Sequence, residues 1–179
     1  MYIALAFFSV ILVSASFAGD MDLGVMKHYL SLPLSRLEVF IAKALASYIV
    51  LFSAGFGALL YLEIMLDPVI FPKLLLLSPF YILQPGLLLA LELLFTFSVS
   101  LYFSIVSRRA WHASIYSLLT LYSFYSVTFV VPRLRWYLPP YTFAFSWAEL
   151  FESTIYFTLF SALILILSAY IFIRELEVV

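Results

Sequence analysis

A chain of 179 residues that is 66% apolar and 11% charged cannot clothe itself as a soluble domain does, since charge normally makes up about a quarter of such a sequence; its solvent is lipid. Hydrocarbon admits helices or closed barrels, because the backbone must satisfy itself, and the apolar runs here are continuous rather than alternating, which selects helices. A net charge of −1 with scattered Lys and Arg argues against nucleic acid as a partner, and the absence of Cys excludes disulfides, thiolate metal sites and cysteine catalysis.

The first predicted span covers about 2–18. It lacks a basic leader, and the Gly19–Asp20 junction does not resemble an export cleavage site, so no cleaved signal is expected. A polar island, 19–43, follows. Asp20 and Asp22 are placed at the start of a short helix, where carboxylates complement the dipole. Leu23, Met26 and Leu30 recur at i, i+3, i+7 as one apolar stripe. Pro33 disfavours helix at Leu32 and marks the end. Ser35 and Glu38 have the spacing of a capping box that opens a new helix at Leu37 or just before. Lys43 is expected to snorkel at the membrane surface.

The second span is predicted over about 44–66, with Ser53/Gly57 and Ala54/Ala58 as small-residue packing pairs. The apolar stretch 68–84 is interrupted by Pro68, Pro72 and Pro79, with Pro85 just beyond, and reads as an outer re-entrant or surface segment; counting it as a crossing gives a six-span alternative. The third and fourth spans cover about 86–106 and 111–131. An outer loop, 132–152, holds Trp136, Tyr137, Tyr141 and Trp147, an interfacial belt rather than a ligand cage. The fifth span, about 154–173, carries Thr154, Ser161 and Ser168 at heptad spacing, another packing seam. The chain is thus expected to be one all-α polytopic membrane domain, 1–179, with five spans. Lys27, Arg36, Lys43, Arg108, Arg109 and Arg174 fall on one side of it, six of nine Lys and Arg. That excess places the island and the C-terminus in the cytoplasm and the N-terminus outside, in a cell-membrane protein.

Glu92 is the charged residue well inside a span, with Thr96, Ser100, Ser104 and Arg108 at successive i+4 steps; Ser114, Ser117, Thr120, Ser123 and Ser126 repeat every third residue in the next span. Two readings stand. The stripes face each other as a polar path through Glu92, Thr96, Ser100, Ser117 and Thr120, or the hydroxyls serve close helix packing around a neutral Glu92. No P-loop, H-E-x-x-H or G-x-S-x-G occurs, and His28 and His112 are the two histidines. No enzymatic activity, metal or cofactor is therefore expected in this chain, and any ATPase belongs to a partner.

The ordered run Asp20, Asp22, Gly24, Leu30, Pro33, Ser35, Arg36, Glu38, Lys43 resembles the coupling segment of the type-2 permeases of ABC exporters, where an acid, a glycine and a leucine-rich turn precede P-x-S-R-x-E-x-x-x-x-K. The order of the later spans, Arg108–Arg109 and the Pro-aromatic loop agrees with that family. The resemblance implies that these nine residues form or flank a coupling helix docked on a cytoplasmic ABC ATPase, beside a second permease chain, identical or different. Two features depart from the family: it has one more span ahead of the coupling segment, and His28–Tyr29 stand where leucines are usual. The alternative is a non-transporting structural subunit of a larger membrane complex.

Overall fold

A computed structural model describes residues 2–31, 33–66, 68, 73, 80–131 and 147–175. Those residues are helical almost throughout, with no strand among them. We number the helices in chain order. α1 comprises Tyr2–Ser14, a π turn over Ala15–Gly19 and a last α turn over Asp20–Asp22, all in one line. α2 is Val25–Leu30, α3 Arg36–Leu66, α4 Phe80–Ser107, α5 Ala110–Val130 and α6 Trp147–Glu175. Four of them, α1, α3, α4 and α6, are long and apolar enough to cross a membrane. α5 has the length, at 21 residues, but spends much of its surface on serine, threonine and tyrosine.

α4 is the central helix. Its apolar stretch is 72% buried, against 22–39% for the other three, whose outer faces are left to lipid. Two apolar clusters divide its circumference. Leu89, Leu93, Phe97, Leu101 and Ile105, one i+4 row, meet α1, α2, α3 and α6 residues such as Val13, Met26, Phe40 and Phe172. Leu91, Phe95 and Val99, the neighbouring row, meet Val10 of α1, Leu121 of α5 and Phe157 of α6. Close approach of α3 depends on Gly55, where a Cβ would lie 2.9 Å from Leu93. Tyr48 of α3 ties the pair further by donating its hydroxyl to the Ala90 carbonyl at 2.9 Å.

Ring contacts fix the relative directions. Phe95 meets both Phe124 and Phe157, whereas Phe103 meets Tyr116, so α5 runs against α4. Tyr48 lies by Phe97 and Phe56 by Gly86, so α3 runs against α4; Phe172 lies by Phe40 near the start of α3 while Phe157 lies by Phe95, so α6 runs with α4. Leu5 sits by Gly55 and Phe17 by Phe40, so α1 runs against α3. The chain direction therefore alternates from α1 through α3, α4, α5 and α6. The ends that carry Asp20, Arg36, Arg108 and Arg174 come together.

Several expected boundaries shift. α1 does not end at Ala18 but runs to Asp22, because Gly19 keeps right-handed helical geometry (φ −63°, ψ −44°). α4 starts at Phe80 and holds Pro85 within it; proline removes one backbone donor but helix packing in this bundle carries the turn through. α6 starts at Trp147, so the last residues of the expected loop are helical. Most of the expected outer segment 68–84 and the loop residues 132–146, with Trp136, Tyr137 and Tyr141, lie outside the described residues.

Candidate functional site

The island is built from the break in α1 outward. Leu23 closes the last turn of α1 by donating its N–H to the Gly19 carbonyl at 2.9 Å, and Gly24 donates to Met21 at 3.2 Å. Gly24 then turns left-handed (φ 71°), which reverses the chain into α2. This is the ordinary use of glycine just past a helix end. Asp20 and Asp22 thus lie at the C-terminal end of α1 rather than at the start of a new helix. There the dipole opposes a carboxylate. Asp20 answers this with an ion pair to Lys43 of α3.

Lys43 is held on more than one side. Its ammonium donates to the Asp20 carboxylate, and it stands 5.2 Å from the Phe17 ring centroid and 5.3 Å from that of Tyr29. Both distances are within cation–π range. With 15% of its side chain exposed, it does not snorkel to water as expected; a carboxylate and two rings replace the water. One residue thereby joins the end of α1, α2 and the second turn of α3.

The expected apolar stripe also resolves differently. Met26 enters the core, but Leu23 is 80% exposed, because the left-handed turn at Gly24 breaks the helical phase between them. The Leu30 side chain lies outside the described residues. At the far end of α2, Ser31 donates its hydroxyl to the His28 carbonyl at 2.7 Å. Exposed Pro33 and Leu34 follow.

Ser35 and Glu38 form the expected capping box in full. The Ser35 N–H and hydroxyl donate to the Glu38 carboxylate at 2.7 and 2.8 Å, and the Glu38 N–H donates to the Ser35 hydroxyl at 3.2 Å. α3 has 31 residues, about 46 Å at 1.5 Å each, and outruns a hydrocarbon core of about 30 Å. Its first turn therefore stands clear of the core. The Ser35 backbone N–H, and then its hydroxyl, hold the Glu38 carboxyl below its usual range. Arg36 reaches 3.4 Å to the Ile173 carbonyl, one of the last four carbonyls of α6 that lack a helical donor. It couples the head of α3 to the tail of α6. Beneath the island, Phe17 meets Phe40 edge to face at 6.2 Å and Phe40 meets Phe172 at a tilt at 5.3 Å, one ring from each of α1, α3 and α6.

The intramembrane polar residues behave differently. Glu92, Thr96, Ser100 and Ser104 are all buried along one row of α4. Thr96 donates to the Glu92 carbonyl at 3.0 Å, Ser100 to Thr96 at 2.7 Å and Ser104 to Ser100 at 2.6 Å. On α5, Ser117 donates to Ala113 at 2.7 Å. These hydroxyls are satisfied within their own helices and present no free proton to a path. Nor do the two stripes face each other as a line. α4 meets α5 with Phe95 and Phe103, and the three-residue spacing on α5 winds its hydroxyls around the helix, from buried Ser117 through half-buried Thr120 to exposed Ser123. The Glu92 side chain is buried on the same row. No cluster able to hold a metal ion occurs among the described residues.

Comparison with family models, with curated proteins and with solved structures finds no match.

Proposed function

We propose that the chain is the membrane-spanning permease subunit of an ABC-type exporter, with residues 19–43 as its coupling segment. In this reading all five long helices cross the membrane, α5 being the fourth crossing. The basic end faces the cytoplasm, the N-terminus lies outside, and the subunit works beside a second permease chain. A separate cytoplasmic ATPase docks on the island around Asp20–Ser31. One observation carries the proposal: the island is fastened to α3 at two points, by Asp20 to Lys43 and by the Ser35–Glu38 cap. A push on α2 therefore reaches α3 without slack, and Arg36 passes it to α6 through the Ile173 carbonyl. Glu92 and Thr120 are the groups left for a polar path once the hydroxyls of Thr96, Ser100 and Ser117 have turned back on their own helices.

The test is Arg36→Gln and Glu38→Gln in the complex reconstituted with its ATPase. Substrate-stimulated ATP hydrolysis should fall about five- to tenfold while basal hydrolysis persists, a coupling loss at the low end of the usual range. Unchanged stimulation in an intact complex would sink the lever.

The inward-closed hydroxyls favour a second reading, a structural subunit that transports nothing. Purification of the native complex separates the two, since a copurifying P-loop ATPase supports the exporter and a large assembly without one supports the structural subunit.

A further inference from the structure

Three of the long helices keep apolar outer faces, with Phe8 and Ile11 exposed on α1, Ile49 and Val50 on α3, and Leu163 and Ile166 on α6. α5 differs. Its buried row is Ala113, Ser117 and Leu121, and its outer face carries Tyr116, Leu119, Tyr122 and Ser123.

Tyr122 is 71% exposed, and its depth makes that exposure informative. Phe124 lies by Phe95 and Tyr116 by Phe103, so Tyr122 and Ser123 stand level with the residues just after Phe95. That is the middle of the apolar stretch Pro85–Ser107 of α4. A tyrosine at that level is about 15 Å from either edge of a hydrocarbon core about 30 Å thick. Its hydroxyl cannot reach the headgroups, where exposed tyrosines are at home, and lipid offers it nothing to bond. Ser123 and Ser126 donate to the Leu119 and Tyr122 carbonyls at 2.8 and 3.0 Å, but a hydroxyl that donates still has lone pairs for a further donor.

We infer that a second copy of this chain docks on the outer face of α5, α5 against α5, about a two-fold axis along the bilayer normal. Such an axis makes one patch meet itself and sets each residue at the depth of its counterpart. The polar level of Tyr122 and Ser123 then faces the same polar level, and the Tyr122 hydroxyl donates to a seryl or tyrosyl oxygen across the axis, as polar residues do between membrane helices. A different chain would have to supply polar groups at that depth, whereas a second copy has them by construction. α5 carries no Asp, Glu, Lys or Arg, so no like charges oppose the pairing. The inference makes the second chain of the exporter reading identical to the first. It rests on the depth of α5 and not on transport, since a structural subunit would pair in the same way.

The chain contains no cysteine, so one introduced thiol reports contact with its own copy. Ser123→Cys leaves Tyr122 in place, and Leu163→Cys, on the apolar outer face of α6, controls for chance collision. Copper-phenanthroline oxidation of the full chain in membranes should give disulfide-linked dimer several-fold faster from Ser123→Cys than from Leu163→Cys. In liposomes, energy transfer between donor- and acceptor-tagged copies should report pairing of the parent protein. Tyr122→Phe should weaken that pairing about threefold, the usual worth of one hydrogen bond between membrane helices. Equal cross-linking at the two positions overturns the proposal, as does unchanged pairing in Tyr122→Phe or no transfer in the parent protein. Rapid modification of Ser123→Cys by a charged thiosulfonate overturns it too, by assigning the face to water. If Ser123→Cys does not fold, the comparison of Tyr122→Phe with the parent protein decides alone.

Discussion

Lys43 is the residue on which the island turns. Its charge is taken from water and given to Asp20, Phe17 and Tyr29. Asp20, at the unfavourable end of α1, depends on it in return. Removing one partner of a largely buried pair leaves the other charge uncompensated, and that loss exceeds what the intact pair contributes. Lys43→Met should therefore lower thermal stability in detergent by about 1–3 kcal/mol, less than a fully buried pair because Asp20 keeps some water. Asp20→Asn combined with Lys43→Met should recover most of it. A single variant that melts with the parent protein would show the pair to be a screened surface contact.

Among elements, the hinge between α1 and α2 is decided by Gly24. A Cβ there would meet nothing within 4 Å, so any cost of substitution is purely backbone. Gly24→Ala should destabilise by about 1–2 kcal/mol and Gly24→Asn by less, since asparagine tolerates the left-handed region, both seen as shifts in thermal midpoint. Equal midpoints for the two variants would place the constraint elsewhere. Much of this element layer was legible in the sequence. α5 lies within a residue of its expected bounds because Arg108–Arg109 interrupts the apolar run, and the Ser35–Glu38 cap is local chemistry at fixed spacing. The end of α1 was not legible. Gly19, Asp20 and Asp22 carry every local mark of a break, yet helical bonds continue through them, since the partner that neutralises Asp20 is 23 residues away. The i+4 row of hydroxyls on α4 was equally visible, but spacing does not tell whether a hydroxyl bonds across to a neighbour or back to its own helix.

For the whole molecule, alternating chain direction gathers Lys27, Arg36, Lys43, Arg108, Arg109 and Arg174 at one end. The sequence contains no cysteine, so each introduced thiol is a clean reporter of side. In intact bacterial cells, Lys73→Cys should react with a membrane-impermeant maleimide, and Ser31→Cys should react after permeabilisation alone. Labelling of both in intact cells would overturn the orientation. The π turn in α1 gives this arrangement an angular consequence. Five residues wound more loosely than α geometry set the phase between the part of the rod that packs on α4 and the part that presents Asp20. Tightening them to α would swing Asp20 by roughly a quarter turn about the axis and carry its carboxylate off Lys43. α1 is therefore a rod with a set screw: the winding of Ala15–Gly19 decides whether the island is latched.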